Sequence, residues 1–184
     1  MLGPSHFTPL RRIAVTDATA WRTPLGTVPV DAELKASALA AGAVADAEPH
    51  AQDHAVEVEL PFLQGASFEP RVVPIATGAG AEETAAVVSA LSADALIVVS
   101  TDLSHFHDDE TARRLDNHTA EAVLALEATA IADDAACGAA ALRGLLVHAR
   151  RAAWACTQLD LRTSADAFGD TDRVVGYGAF AFTA

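Results

Sequence analysis

The chain has 184 residues, 51% of them apolar, and a formal net charge of −13. That length supports one sizeable core. No apolar run approaches the ~20 residues that span a bilayer, and the start MLGPSHFTPLRR lacks the basic region and apolar stretch of a signal peptide. Lys35 is the sole lysine, and so acidic a surface repels phosphate backbones, which argues against nucleic acid as a partner. The expectation is a cytoplasmic protein in which Cys137 and Cys156 are free thiols rather than a disulfide scaffold.

Residues 12–15 read as a short strand, and 21–30 as an extended arm broken by Pro24 and Pro29. Residues 31–41 predict a helix capped by Asp31 and ended by Gly42. A second helix is expected over 53–63, with Pro61 near its start or at a bend. RVVPIAT at 71–77 is strand-like, and 82–91 is helical with Ala85, Val88 and Leu91 on one stripe. ALIVVS at 95–100 is a continuous apolar run, as expected of a strand buried on both faces of a parallel sheet. Residues 108–126 form an amphipathic pattern with Ala112, Leu115, Thr119, Ala122, Val123 and Leu126 inward and Glu110–Arg114 as an i,i+4 pair. A helix over 139–151 and strands over 155–162 and 174–182 close the chain. Strand–helix alternation gives an α/β fold with a mixed sheet. No linker, repeat or internal boundary interrupts residues 1–184, so one domain is expected.

None of the His, Cys or acidic residues falls in a compact zinc pattern such as CxxC or HExxH, so any site is assembled from distant segments. His105 lies in STDLSHFH, directly after ALIVVS. In open α/β sheets ligands bind at the carboxyl ends of strands, which singles out Thr101, Asp102, Ser104, His105 and His107. Asp102 there either orients an imidazole or acts as a base. The plainer alternative is that Asp102 and Ser104 only shape a turn and cap the next helix, and function is the favoured reading. His6 follows a turn made by Gly3 and Pro4. No strand is expected before it, and a frayed terminal histidine is its default reading from position alone. His54 sits beside Asp53 and near Glu57, on neighbouring faces of the expected helix. A site and a solvated face are equally good readings there. Cys137 opens the helix at 139–151, where the positive helix end favours thiolate, or it is a small buried residue. Cys156, His118 and His148 read as structural, and His50 as an exposed loop residue.

Taken together, LGPSH at 2–6, WRTPLGTVPVD at 21–31, DHAVEVELPFL at 53–63, VVPI at 72–75, STDLSH at 100–105, ACGAAAL at 136–142 and VVGYGAFAF at 174–182 resemble, in order, the motifs of the Memo-like family. That family is also named AmmeMemoRadiSam system protein B and is similar in fold to the LigB-type class III extradiol dioxygenases. The resemblance implies a mixed, mostly parallel sheet flanked by helices. It implies that His6, His54 and Cys137 form a metal pocket associated with iron or copper. Asp102 and His105 then fall on a motif that lines the same pocket, as acid/base groups, and Ser5, Glu57 and Ser104 complete its wall. Two imidazoles and a thiolate make a borderline-soft donor set with open coordination, suited to iron, copper or zinc.

Asp53 stands where the family usually has Glu, Ala55 where it has Ser, and Ala139 to Ala141 replace a more varied stretch. The family normally carries a segment before LGPSH with a His-Ala-Gly motif and at least one strand. An omitted upstream segment is therefore expected, whose loss would expose strand edges and an apolar stripe. The implied function is an oxidoreductase-like metalloprotein acting on an unknown small molecule, with partners in a radical-SAM-associated system. The alternative is a non-catalytic module that binds a peptide or partner protein, in line with the adaptor role linked to human Memo-type proteins. A zinc hydrolase is weaker, since no Glu is plainly placed as a base.

Overall fold

Leu2 and Gly3, at the start of the chain, form a central strand. The computed structural model describes residues 1–66 and 69–184. In it β1 (Leu2–Gly3) runs parallel to β6 (Ile75–Thr77), with Leu2 opposite Ile75. β6 is antiparallel to β2 (Ile13–Val15), which is parallel to β5 (Val44–Ala45). On the other edge of β1, Leu2 N–H donates to Val98 O and Ser100 N–H to Leu2 O, both at 2.8 Å, around a parallel bridge between Leu2 and Val99. The result is the expected mixed, mostly parallel sheet.

One face of this sheet packs on α1 (Ala32–Ala40), α3 (Ala81–Leu91) and α5 (Ala139–Arg151), through Leu2, Val15, Ile75, Ala38, Val87, Val88 and Leu145. On the other side Met1, Val56, Leu60 and Val72 meet Val28 and Trp21. Those two belong to a hairpin of β3 (Ala20–Thr23) and β4 (Gly26–Pro29), so the arm expected over 21–30 folds back on itself at Gly26, whose φ of 125° suits glycine. A second, antiparallel sheet holds β7 (His105–His107), β9 (Val174–Thr183) and β8 (Ala155–Thr163) in that order. Helix α4 (Asp109–Leu124) packs against it.

The helix starts follow their caps. Asp31 accepts the N–H groups of Glu33 and Leu34, and Asp108 that of Thr111. Three expectations change. The helix over 53–63 is split into a turn through 53–56, a 3₁₀ turn over Glu57–Glu59, and α2 (Leu60–Gly65), with Pro61 in the first turn, where its missing N–H costs nothing. The i,i+4 pair on α4 is Asp109–Arg113 at 2.9 Å rather than Glu110–Arg114, and Asp166 lies 2.8 Å from the same Arg113 guanidinium.

The third change concerns residues 95–100, which are not buried on both faces. Ile97, Val98 and Val99 are half-buried and Leu96 is 81% exposed. A cavity of about 420 Å³ separates this run from β9, lined by Leu96, Val98, Leu142, Trp154, Phe180 and Phe182. Among the described residues, the edge of 97–99 turned away from β1 makes no backbone hydrogen bond. No helix among the described residues is long and apolar enough to cross a membrane.

Gly176 of β9 lies directly on the buried carboxylate of Asp116 in α4. A Cβ there would meet Asp116 Oδ2 at 1.9 Å. Gly176→Ala should destabilise by about 2–3 kcal/mol through overpacking. Gly65→Ala, with nothing among the described residues within 4 Å of the added methyl, should change stability by less than about 0.5 kcal/mol. Urea titration of the two variants checks both. The open edge and its apolar cleft predict self-association. Leu96→Lys should lower it in light scattering at unchanged melting temperature, and equal association in the variant would exclude this edge as its cause.

Candidate metal centre

β1 ends where the chain must pass under another segment. A Cβ on Gly3 would lie 3.1 Å from Val56 Cγ2 and 3.2 Å from the Ala55 methyl, so glycine lets residues 55–56 rest on the strand end. Pro4 then turns the chain, and His6 meets the turn that carries Asp53 and His54. Asp53 is only 8% exposed. Its Oδ2 accepts the His6 backbone N–H at 2.5 Å and its Oδ1 that of Ala55 at 2.9 Å. His6 Nδ1 lies 3.2 and 3.3 Å from the two oxygens. Burial alone would raise the Asp53 pKa, but the N–H groups of Ala55 and His6 and the His6 ring outweigh it and hold the carboxyl below its ordinary value.

The His6 and His54 rings stack, with centroids 5.0 Å apart and an interplanar angle of 17°. Phe7, itself 60% exposed, stands edge-on to both at 6.4 and 6.5 Å. His6, Asp53 and His54 each offer a ligand atom, all within 4.8 Å of one another, so the three could hold a metal ion. A frayed His6 is ruled out by its pinned backbone. His54 is exposed, but it belongs to this cluster rather than to a helix face.

A second cluster forms around Cys137. The Asp102 N–H donates to Cys137 Sγ at 3.2 Å, the Cys137 N–H to Asp102 O at 3.2 Å, and Thr101 Oγ1 lies 3.5 Å from the sulfur. Gly138 N–H donates to Thr101 Oγ1 at 2.7 Å, and a Cβ on Gly138 would meet Thr101 Cβ at 2.7 Å. The loop and the start of α5 are thus locked together. Asp102 Oδ2 lies 3.6 Å from His105 Nε2. Cys137 is not a member of the His6–Asp53–His54 group. Ser100, next to Thr101, connects the segments that carry the two clusters, its Oγ donating to Ala55 O at 2.7 Å, and a cavity of about 260 Å³ beside Cys137 is lined by Ser5, Thr77 and Arg143 but by none of His6, Asp53 and His54.

The remaining candidates sort plainly. Ser5 is half-buried and donates to Thr8 O. Glu57 is exposed on the 3₁₀ turn, and it is Glu59 that reaches Ser100 Oγ, at 3.1 Å. Ser104 is buried, its N–H donating to Asp116 Oδ1 at 2.9 Å. His50 is half-buried with its ring edge-on to Trp21 at 5.6 Å, not exposed, and burial lowers its pKa. His148 is buried against Trp154, and burial pushes the Cys156 thiol up, as suits structural residues. Asp53 is the site residue that sequence reasoning missed. Its signal was adjacency to His54 in a segment whose next residues, Ala55 and Val56, are apolar.

Comparison with known proteins shows the family. A family model described as Memo-like protein matches residues 1–181. A MEMO1 family protein of Methanosarcina acetivorans is 32% identical over 197 aligned residues, covering 97% of this chain and 73% of that protein. Its counterpart in Methanosarcina mazei is 33% identical with the same coverage, and one in Thermotoga maritima is 33% identical, covering 96% of this chain and 68% of its own length. The chain belongs to the Memo-like protein family.

Proposed function

We propose that this chain binds a transition metal through His6 and His54, with Cys137 as the third ligand, and that the site supports redox chemistry on a small oxidisable substrate. The observation that carries the reading is the stacked imidazole pair with a buried carboxylate behind it. Imidazole and thiolate donors suit iron, copper or zinc over magnesium and calcium, and iron or copper is the choice for redox work. Asp53 is a poorer third ligand than Cys137, because both its oxygens already accept backbone N–H groups. When bound, the metal supplies a Lewis-acidic, redox-active centre with open positions.

The chain's own residues then do the rest. Asp102, with Oδ2 3.6 Å from His105 Nε2, is the charged neighbour that orients this imidazole as the acid/base group. Phe7 supplies an apolar wall beside the two imidazoles. The setting is cytoplasmic, with partners in a radical-SAM-associated system. A second reading, a module that binds a peptide or protein partner, is favoured by the exposure of Phe7 and Phe62.

Anaerobic purification followed by elemental analysis should find iron or copper near one equivalent. His6→Ala, His54→Ala and Cys137→Ala should each weaken binding at least tenfold, and Cys156→Ala should not. Wild-type-like affinity in His54→Ala would overturn the assignment, and a folded protein with no metal affinity would favour the binding module. His105→Ala should retain most of the metal while losing peroxide- or oxygen-linked turnover. Full turnover in that variant would place His105 outside the chemistry.

A further inference from the structure

Asp53 stands in contact with His6 at three points, and those contacts define a role. An ionised carboxylate has two oxygens and about four lone-pair directions. Here one oxygen takes the His6 backbone N–H, the other takes the Ala55 N–H, and the His6 ring nitrogen Nδ1 sits 3.2–3.3 Å from both. The side chain is almost fully buried, so little of it faces the space beside the rings. Donors from His6 and Ala55 already occupy three of those directions, with at least one on each oxygen. The remaining contact is the one that decides the chemistry of His6. An acceptor-only group beside Nδ1 keeps the ring proton on that atom and leaves Nε2 with a free lone pair.

We infer that Asp53 is a positioning residue, not a ligand. It fixes the His6 ring as the Nδ1–H tautomer and anchors its backbone, so that Nε2 is the coordinating atom. Hydrogen-bonded partners of metal-bound histidines typically alter affinity by about 10–100-fold when removed, and the same range is expected here. The buried carboxylate also fixes direction. Because it holds the backbone N–H and the ring nitrogen of one residue, the His6 backbone is anchored and its ring cannot swing away from the His54 ring without losing the Nδ1 contact.

The inference rests on the metal reading, and the experiment separates the two. In the metal-free wild type, nitrogen-15 NMR of the histidine rings should show His6 protonated at Nδ1. A proton on Nε2 would overturn the inference whether or not metal binds. Cobalt(II) titration then compares wild type, Asp53→Asn and Asp53→Glu. Asp53→Asn should bind about 10–100-fold more weakly with the visible ligand-field bands of wild type, because the ligand set is intact. Asp53→Glu, which keeps the carboxylate, should recover part of the loss. Altered bands in Asp53→Asn would make Asp53 a ligand, and unchanged affinity would make it a bystander. Either result overturns the proposal. If the wild type takes up no cobalt, the metal reading fails, while the tautomer measurement still decides the role of Asp53.

Discussion

The site depends on the pairing of a two-residue strand. Leu2 and Gly3 lie between Ile75–Ala76 on one edge and residues 98–100 on the other, and both edges are hydrogen-bonded. The Met1 nitrogen takes part as well, donating to Val73 O at 3.0 Å. An unmade bond at any of these buried groups would cost about 1–3 kcal/mol, so the strand end is fixed in space to within the tolerance of a sheet. His6 follows three residues later. Its position is inherited from the centre of the core rather than set by its own loop.

The same arrangement explains what could be read from the amino acids and what could not. The helix at 139–151 was legible to the residue, because its apolar period is long. The helix after Asp31 was legible because that side chain caps it. The strand at Leu2–Gly3 was not, since two residues carry no period and become a strand only through partners 70 and more positions away. Asp53 shows the same limit at the level of a side chain. On an ideal helix it would lie one turn from Glu57, in solvent. It turns inward because donors from His6 and Ala55 repay its desolvation. Nothing local announces that His6 will be there. His6, His54 and Cys137 were identified through the likeness of whole motifs, whereas the burial of Ser104 and the substitution of Glu59 for Glu57 at Ser100 are products of tertiary packing.

Residues 100–105 carry the connection between the two clusters. Ser100 holds the turn after His54 through Ala55 O, Thr101 and Asp102 hold Cys137 and Gly138, and Leu103 and Ser104 exchange backbone hydrogen bonds with Gly176. Ser104 also reaches Asp116. One run of six residues thus touches every segment that brings a candidate group to the site except the His6 turn, which it meets through β1.

At the far end of this run the β7–β9 ladder slips, with His105 opposite Val175 but His107 opposite Val174. The extra residue is Phe106, a non-glycine at φ 64°, under the Arg173 guanidinium at 4.3 Å from its ring centroid. Such a conformation costs roughly 1–2 kcal/mol, and it persists because pairing on either side and the stacked arginine hold it. A bulge of this kind re-aims the neighbouring side chain. Without it, His105 would continue the alternation of the strand. With it, the imidazole lies 3.6 Å from Asp102 Oδ2. The strain therefore sits where the sheet gives up regularity, directly beside the Asp102–His105 pair.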